Sequence, residues 1–149
     1  MSSAPTAGWF EGREHVLPLR VYYEDTDFTG LVYHANYLRF FERARSDFLR
    51  LAGISHAELF AREDPAAFAI TRMEIDFRVA ARIDDALLVR TTYDSIRGPR
   101  LSISQRALRG ETLIAQAAVC AACISAGGRA RKPPKAVIEA LTPWLTAAP

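Results

Sequence analysis

Between residues 35 and 52 the chain carries Tyr37, Phe41, Ala44, Phe48 and Leu51, apolar or small side chains spaced three and four apart. That period is helical. Leu38, Phe40, Leu49 and Ala52 widen the stripe until little of the circumference is left for water. A helix apolar on most faces has to be enclosed by other elements. Gly53 supplies its C-terminal stop. What encloses it is legible on either side. Residues 15–24 (HVLPLRVYYE) alternate and are rich in β-formers, as are residues 67–79, 86–96, 101–108 and 112–125. Residues 97–100 (RGPR) and 109–111 (RGE) are tight turns between them. The expected order is one strand, one long helix, a short helix over 56–62, then four strands in a meander. No βαβ alternation and no internal repeat occurs. The expected class is α+β, an antiparallel five-stranded sheet wrapped around one central helix.

A chain of 149 residues suits one domain and buries enough apolar surface to need no disulfide or metal staple. Residues 1–14 read as a loose leader, and residues 129–149 as a basic linker followed by a C-terminal helix over 136–145. Half of the residues are hydrophobic and 24% charged, which excludes dominant disorder. The formal net charge of +2 argues against a general nucleic-acid binder. Seventeen of the nineteen basic residues are Arg, whose planar fork suits carboxylates and phosphates, although a GC-rich genome produces the same bias. No stretch is long and apolar enough for a transmembrane helix, and the start lacks the pattern of a signal peptide, so a cytoplasmic location is expected. Cys120 and Cys123 form a C-x-x-C inside an expected strand, where positions three apart face opposite ways. Two small buried side chains is the better reading than a redox pair. No metal site and no separate cofactor are expected.

Chemistry concentrates in residues 21–45, VYYEDTDFTGLVYHANYLRFFERAR. Asp25 and Asp27 sit in turn-forming sequence before Gly30, and Tyr33, His34, Asn36 and Tyr37 feed directly into the helix. A helix N-terminus offers unpaired N–H groups and partial positive charge, which polarise a carbonyl. A carboxylate beside it can act as nucleophile or general base. The parts for acyl transfer are therefore present without a Ser or Cys nucleophile. Each part also has a plainer reading. The aspartates can be turn formers, His34 a satisfied core or capping residue, the tyrosines packing residues and Asn36 a helix cap. Glu42 with Arg39, Arg43 and Arg45 reads as a surface or inter-subunit ion-pair set.

The run D-x-D-x-x-G-x-V-Y-H-x-N-Y from Asp25 to Tyr37, followed by Phe41-Glu42-Arg43-Ala44-Arg45, resembles the hotdog-fold acyl-CoA thioesterases. Within them it is similar to the 4-hydroxybenzoyl-CoA thioesterase-like branch and its YbgC type, which accompanies the Tol-Pal system of proteobacteria. The resemblance extends through residues 80–85 and 95–98 and covers about 21–125. It implies hydrolysis of a short- to medium-chain or aromatic acyl-CoA, with Asp27 as the catalytic carboxylate. The N–H of His34 or its neighbour would hold the thioester oxygen, and the His34 side chain would assist. It further implies a homodimer or homotetramer with the site at a subunit interface. Tyr33, Asn36 and Tyr37 would then face substrate, and Ile70, Thr71 and Arg72 would do so from the partner copy. Coenzyme A is part of the substrate, and acyl carrier protein is a further possible partner. Arg97, Gly98 and Arg100 at a turn, with Arg131 and Lys132 in the linker, are the expected phosphate anchors. Phe28, beside Asp27, is expected to narrow the acyl site. A non-catalytic acyl-CoA or acyl-carrier binding module is the alternative; a hydratase would instead release no free thiol.

Overall fold

The computed structural model describes residues 7–147. Six strands form one antiparallel sheet: β1 (Trp9–Glu11), β2 (Glu14–Arg20), β3 (Ala66–Phe77), β4 (Ala86–Arg97), β5 (Arg100–Arg109) and β6 (Thr112–Ser125). The helices are α1 (Asn36–Leu51), α2 (His56–Phe60) and α3 (Lys135–Leu141), and short 3-10 turns lie at Tyr23–Asp25 and Thr142–Trp144. The first six residues of the expected leader lie outside the described residues. The rest is not loose. Residues 9–11 pair with β2, which raises the strand count from the expected five to six. The first long strand ends at Arg20 rather than residue 24, because the Asp25 carboxylate accepts the Tyr22 N–H at 2.8 Å and closes a 3-10 turn.

The sheet order is β1-β2-β4-β5-β6-β3. Only β4, β5 and β6 form a meander. Strand β3 does not pair with β4, its successor in sequence, but with β6 at the far edge. The chain therefore passes from the β2 side, along α1, to the opposite edge before the meander returns it. Burial on β5 alternates strictly, with Leu101, Ile103 and Ala107 inward and Ser102, Ser104 and Arg106 outward. That is the signature of one face on a core and one in water.

Helix α1 is about 24 Å long at 1.5 Å per residue and packs over β2 and β4. Phe40, Phe41 and Phe48 are buried against Leu87, Val89, Leu101 and Ile114. Enclosure is less complete than the apolar pattern suggests. Leu38 and Leu51 remain exposed, while Arg45 and Asp47 are buried. Both cysteines are free on β6; Cys123 is buried, which pushes its thiol up, and Cys120 is half-buried.

Candidate active site

The turn that carries Asp27 is built by backbone hydrogen bonds. The Gly30 N–H donates to the Asp27 carbonyl at 3.1 Å, and the Asp27 N–H donates to the Leu31 carbonyl at 2.8 Å. Gly30 has φ of 82°, a left-handed conformation costly for residues with a Cβ. Thr26 then bridges to Val32, and Leu31 to Arg82. The turn is fastened to α1 by the Asp25 carbonyl, which accepts the Tyr33 N–H at 3.0 Å and the Asn36 Nδ2–H at 2.8 Å. Asn36 thus ties the helix start to the turn instead of capping the helix; Ala35 occupies the cap position.

Asp27 is half-buried. Its Oδ1 accepts the Thr29 N–H at 2.8 Å and the Thr29 hydroxyl at 2.5 Å. These bonds, the hydroxyl first, hold the carboxyl below its ordinary value, so it is ionised at neutral pH. No hydrogen bond to Oδ2 within 3.5 Å is found among the described residues, and the Leu31 N–H adds to the stabilisation of the carboxylate. Asp27, Tyr33, His34 and Tyr37 line one cavity of about 380 Å³, whose other wall is Phe77, Val79 and neighbours after β3. The His34 ring lies 4.7 Å from that of Tyr33 and 6.1 Å, edge-on, from Phe77. Tyr37 is buried; its hydroxyl accepts the Ala81 N–H at 3.1 Å, and burial keeps the phenol protonated. Among the described residues, neither the His34 nor the Ala35 N–H donates to a protein acceptor. Asp27 and His34, the latter with an unspent N–H at the helix start, thus line one cavity, an arrangement suited to acyl transfer.

Other sequence candidates are not brought here within this chain. Ile70 lines a separate cavity of about 110 Å³ behind α1. Thr71 forms a β-bulge and its hydroxyl donates to the Cys120 carbonyl at 3.2 Å; Arg72 pairs with Glu74. Phe28 is fully exposed and does not line the cavity, so it does not narrow it. Arg97, Gly98 and Arg100 lie at the other end of β4 from Ala86, roughly 36 Å of strand away at 3.3 Å per residue. The linker joins them there: Cys123 N–H donates to Pro99, and Arg131 N–H to Cys123. The two basic sets form one far-end cluster, with Arg131 paired to Asp64 at 2.6 Å and Lys132 exposed beside it. Within this chain the ion-pair set expected on α1 does not form among the described residues. Arg45 turns inward to Gln105, and Glu42 accepts the Ser46 hydroxyl. Sequence reasoning missed Thr29, whose i+2 spacing from Asp27 is the pattern of an Asx turn. It also missed the residue 77–80 wall, for which long-range pairing left no local signal.

A sheet curled around one helix, with a carboxylate turn at the helix start, defines a hotdog-fold thioesterase-like protein. The family model described as thioesterase-like superfamily matches residues 21–144, and the chain belongs to that family. Within it the chain groups with the YbgC type. It is 43% identical over 110 residues to the acyl-CoA thioesterase YbgC of Haemophilus influenzae, covering 74% of this chain and 80% of that one. A probable thioesterase from Bartonella henselae superposes with a TM-score of 0.78 at 40% identity, covering 81% and 99% of the two chains. A 1,4-dihydroxy-2-naphthoyl-CoA thioesterase from Synechocystis gives 0.78 at 25% identity, covering 87% and 96%.

Proposed function

We propose that this site hydrolyses the thioester of an acyl-CoA, giving free acid and coenzyme A. The observation that carries the reading is that Asp27, with Oδ2 unbonded among the described residues, and His34, whose N–H is unspent at the helix start, line one cavity. The thioester oxygen accepts from that N–H, which stabilises the charge developing on it. Asp27 then works in one of two ways. Its Oδ2 attacks the carbonyl carbon, expelling thiolate and leaving a mixed anhydride that water cleaves; or it takes a proton from a water that attacks directly. The His34 ring supplies a proton to the departing thiolate or orients the water. The test is release of free thiol from acyl-CoAs of graded length and from aromatic acyl-CoAs. Wild-type release with Asp27→Asn reduced at least about a hundredfold supports the reading; undiminished release in that variant removes Asp27 from the mechanism. Binding without release by the wild type would favour the non-catalytic module. After a single turnover in heavy-oxygen water, label in Asp27 with unlabelled acid released identifies an anhydride cleaved at its aspartyl carbon; label in the acid alone is common to direct hydrolysis and to cleavage at the acyl carbon. An acyl carrier protein thioester belongs in the same assay because it bears the same pantetheine arm.

The working unit in this reading is a two-fold dimer in the cytoplasm. Strand β3 is a twelve-residue sheet edge unpaired on its outer side among the described residues, and such edges invite pairing. Antiparallel pairing of two β3 edges sets the Phe77 end of one copy against the Ala66 end of the other. The second copy's Ile70, Thr71 and Arg72 then lie near the two-fold axis, opposite the same stretch of the first copy. Its Arg97–Arg100 turn with Arg131 and Lys132 comes to the catalytic end. In this reading the basic turns, a strand's length away within one chain, serve the site of the other copy.

A further inference from the structure

Helix α1 packs over β2 and β4, and α2 over β3, so a seam stays open above the middle of the sheet. A cavity of about 110 Å³ lies in it, walled by Leu49 of α1, Phe68 of β3 and Leu101 and Ile103 of β5. The same cavity is lined by Arg45 and Tyr93, two buried donors that the chain leaves under-used. Arg45 is 9% exposed and permanently charged, yet among the described residues its guanidinium donates only to the neutral Gln105 Oε1, at 2.9 Å. No carboxylate is within ion-pairing distance of it among the described residues. Tyr93 is 2% exposed, and its hydroxyl has one contact, the Arg45 carbonyl at 3.5 Å, beyond the ordinary O–H···O range. Burial pushes the phenol up, so the hydroxyl keeps its proton to donate.

Buried donors are costly unless an acceptor meets them, and a buried cation is costlier unless a negative charge does. Both needs are answered by one group, a carboxylate, whose two oxygens accept from a guanidinium and a hydroxyl at once. The apolar walls ask for an alkyl body on that carboxylate. A volume of 110 Å³ holds roughly four carbon-sized groups, at about 30 Å³ each. Glu42 is the one carboxylate lining the cavity; it is exposed, and its Oε1 accepts the Ser46 hydroxyl at 2.8 Å. Its charge opposes a second negative group, and a doubly charged anion such as phosphate more than a singly charged acid.

We infer that this cavity binds a free short-chain carboxylate of about three to five carbons, with its oxygens on Arg45 and Tyr93 and its alkyl part among Leu49, Phe68, Leu101 and Ile103. The place is separate from Asp27, which lines the other cavity. Such an acid is the class of product that hydrolysis of a short acyl-CoA releases. That connection rests on the thioesterase reading; the binding does not.

The test is calorimetric titration of the whole protein with sodium butyrate at constant ionic strength. Saturable binding is expected, at least about tenfold weaker for butyramide and 1-butanol, which keep the alkyl body without the charge. Inorganic phosphate should not compete. Tyr93→Phe should weaken butyrate about fivefold, Arg45→Met should abolish its binding, and Glu42→Gln should tighten it. Because Arg45→Met strands the Gln105 amide, Arg45→Met/Gln105→Leu repeats that arm, with melting temperatures matched before comparison. Asp27→Asn should bind butyrate as the wild type does. No saturable binding by the wild type overturns the inference. So does equal affinity for butyramide, which would make the cavity a merely apolar hole. So does unchanged affinity in Tyr93→Phe and the folded Arg45 variants, or changed affinity in Asp27→Asn, which would put the acid in the other cavity. A protein that binds butyrate through Arg45 yet releases no thiol from acyl-CoA keeps this site and loses the thioesterase reading. One that releases thiol and binds no butyrate keeps the activity and loses the site.

Discussion

Asp27 is held ready by Thr29, whose N–H and hydroxyl both donate to its carboxylate. Replacing Thr29 by Val keeps the volume and the N–H bond but deletes the hydroxyl that contributes most to lowering the Asp27 pKa. The acid limb of the pH profile of kcat/KM should move to higher pH, while the neutral-pH rate changes little. An acid limb that stays in place would show that Asp27 is not the group titrating. His15 gives a second titration away from the site. Its Nε2 lies 2.7 Å from the Asp47 carboxylate, both residues are buried, and Phe10 and Phe48 pack around the ring. The pair meets the distance criterion for an ion pair, yet burial outweighs the carboxylate and lowers the His15 pKa from about 6.5. The neutral ring donating Nε2–H fits both facts, and it leaves Nδ1 without a partner among the described residues. Arg50, exposed and 3.3 Å from Asp47, is the one other charge at the pair. Because the unfolded chain then binds the proton more readily, stability is complete above about 6.5 and falls as pH drops below it. Thermal melts from pH 7.5 to 5 should show this decline. His15→Gln should melt lower at neutral pH and lose much of the decline; an unaltered decline would assign it to other groups.

Helix α1 shows how far a hydrophobic stripe reads out burial. Its aromatic positions went inward as the period requires, but so did Arg45 and Asp47, which no pattern marks. Arg45 is tolerable because Gln105 on β5 accepts its guanidinium at 2.9 Å, while the Gln105 amide donates to the Phe41 carbonyl and the Thr91 hydroxyl. Burying a charge costs several kcal/mol unless it is hydrogen-bonded. Gln105→Leu keeps the apolar volume and strips the acceptor from Arg45. It should cost about 2–4 kcal/mol in denaturant melts, and Arg45→Met/Gln105→Leu together should recover part of that. A single variant as stable as wild type would show that the network carries no weight. Strand boundaries followed the turns closely because Gly98 and Gly110 sit in left-handed positions at hairpins. The early end of β2 was not legible, since residues 21–24 have β-forming side chains and only the local Asp25 bond to the Tyr22 N–H, closing a 3-10 turn, tips them out of the strand.

Across the whole molecule, the edge position of β3 makes the sharpest prediction. Ile70 is 45% exposed on that edge. If two β3 edges pair, sedimentation should find a dimer. Ile70→Lys should yield a folded monomer with thiol release down at least about tenfold, because charge on an edge opposes pairing. A fully active wild-type monomer would sink the pairing. The amino-acid order by itself determined the strand–helix–strand order, the apolar stripe of α1 and the carboxylate turn at its start, since each rests on patterns among residues a few positions apart. Tertiary structure alone decided that β3 crosses to the far edge, that the residue 77–80 wall closes the cavity and that the basic turns lie a sheet's length from Asp27. Those outcomes depend on which strands pair, and pairing joins residues tens of positions apart that carry no local mark of one another.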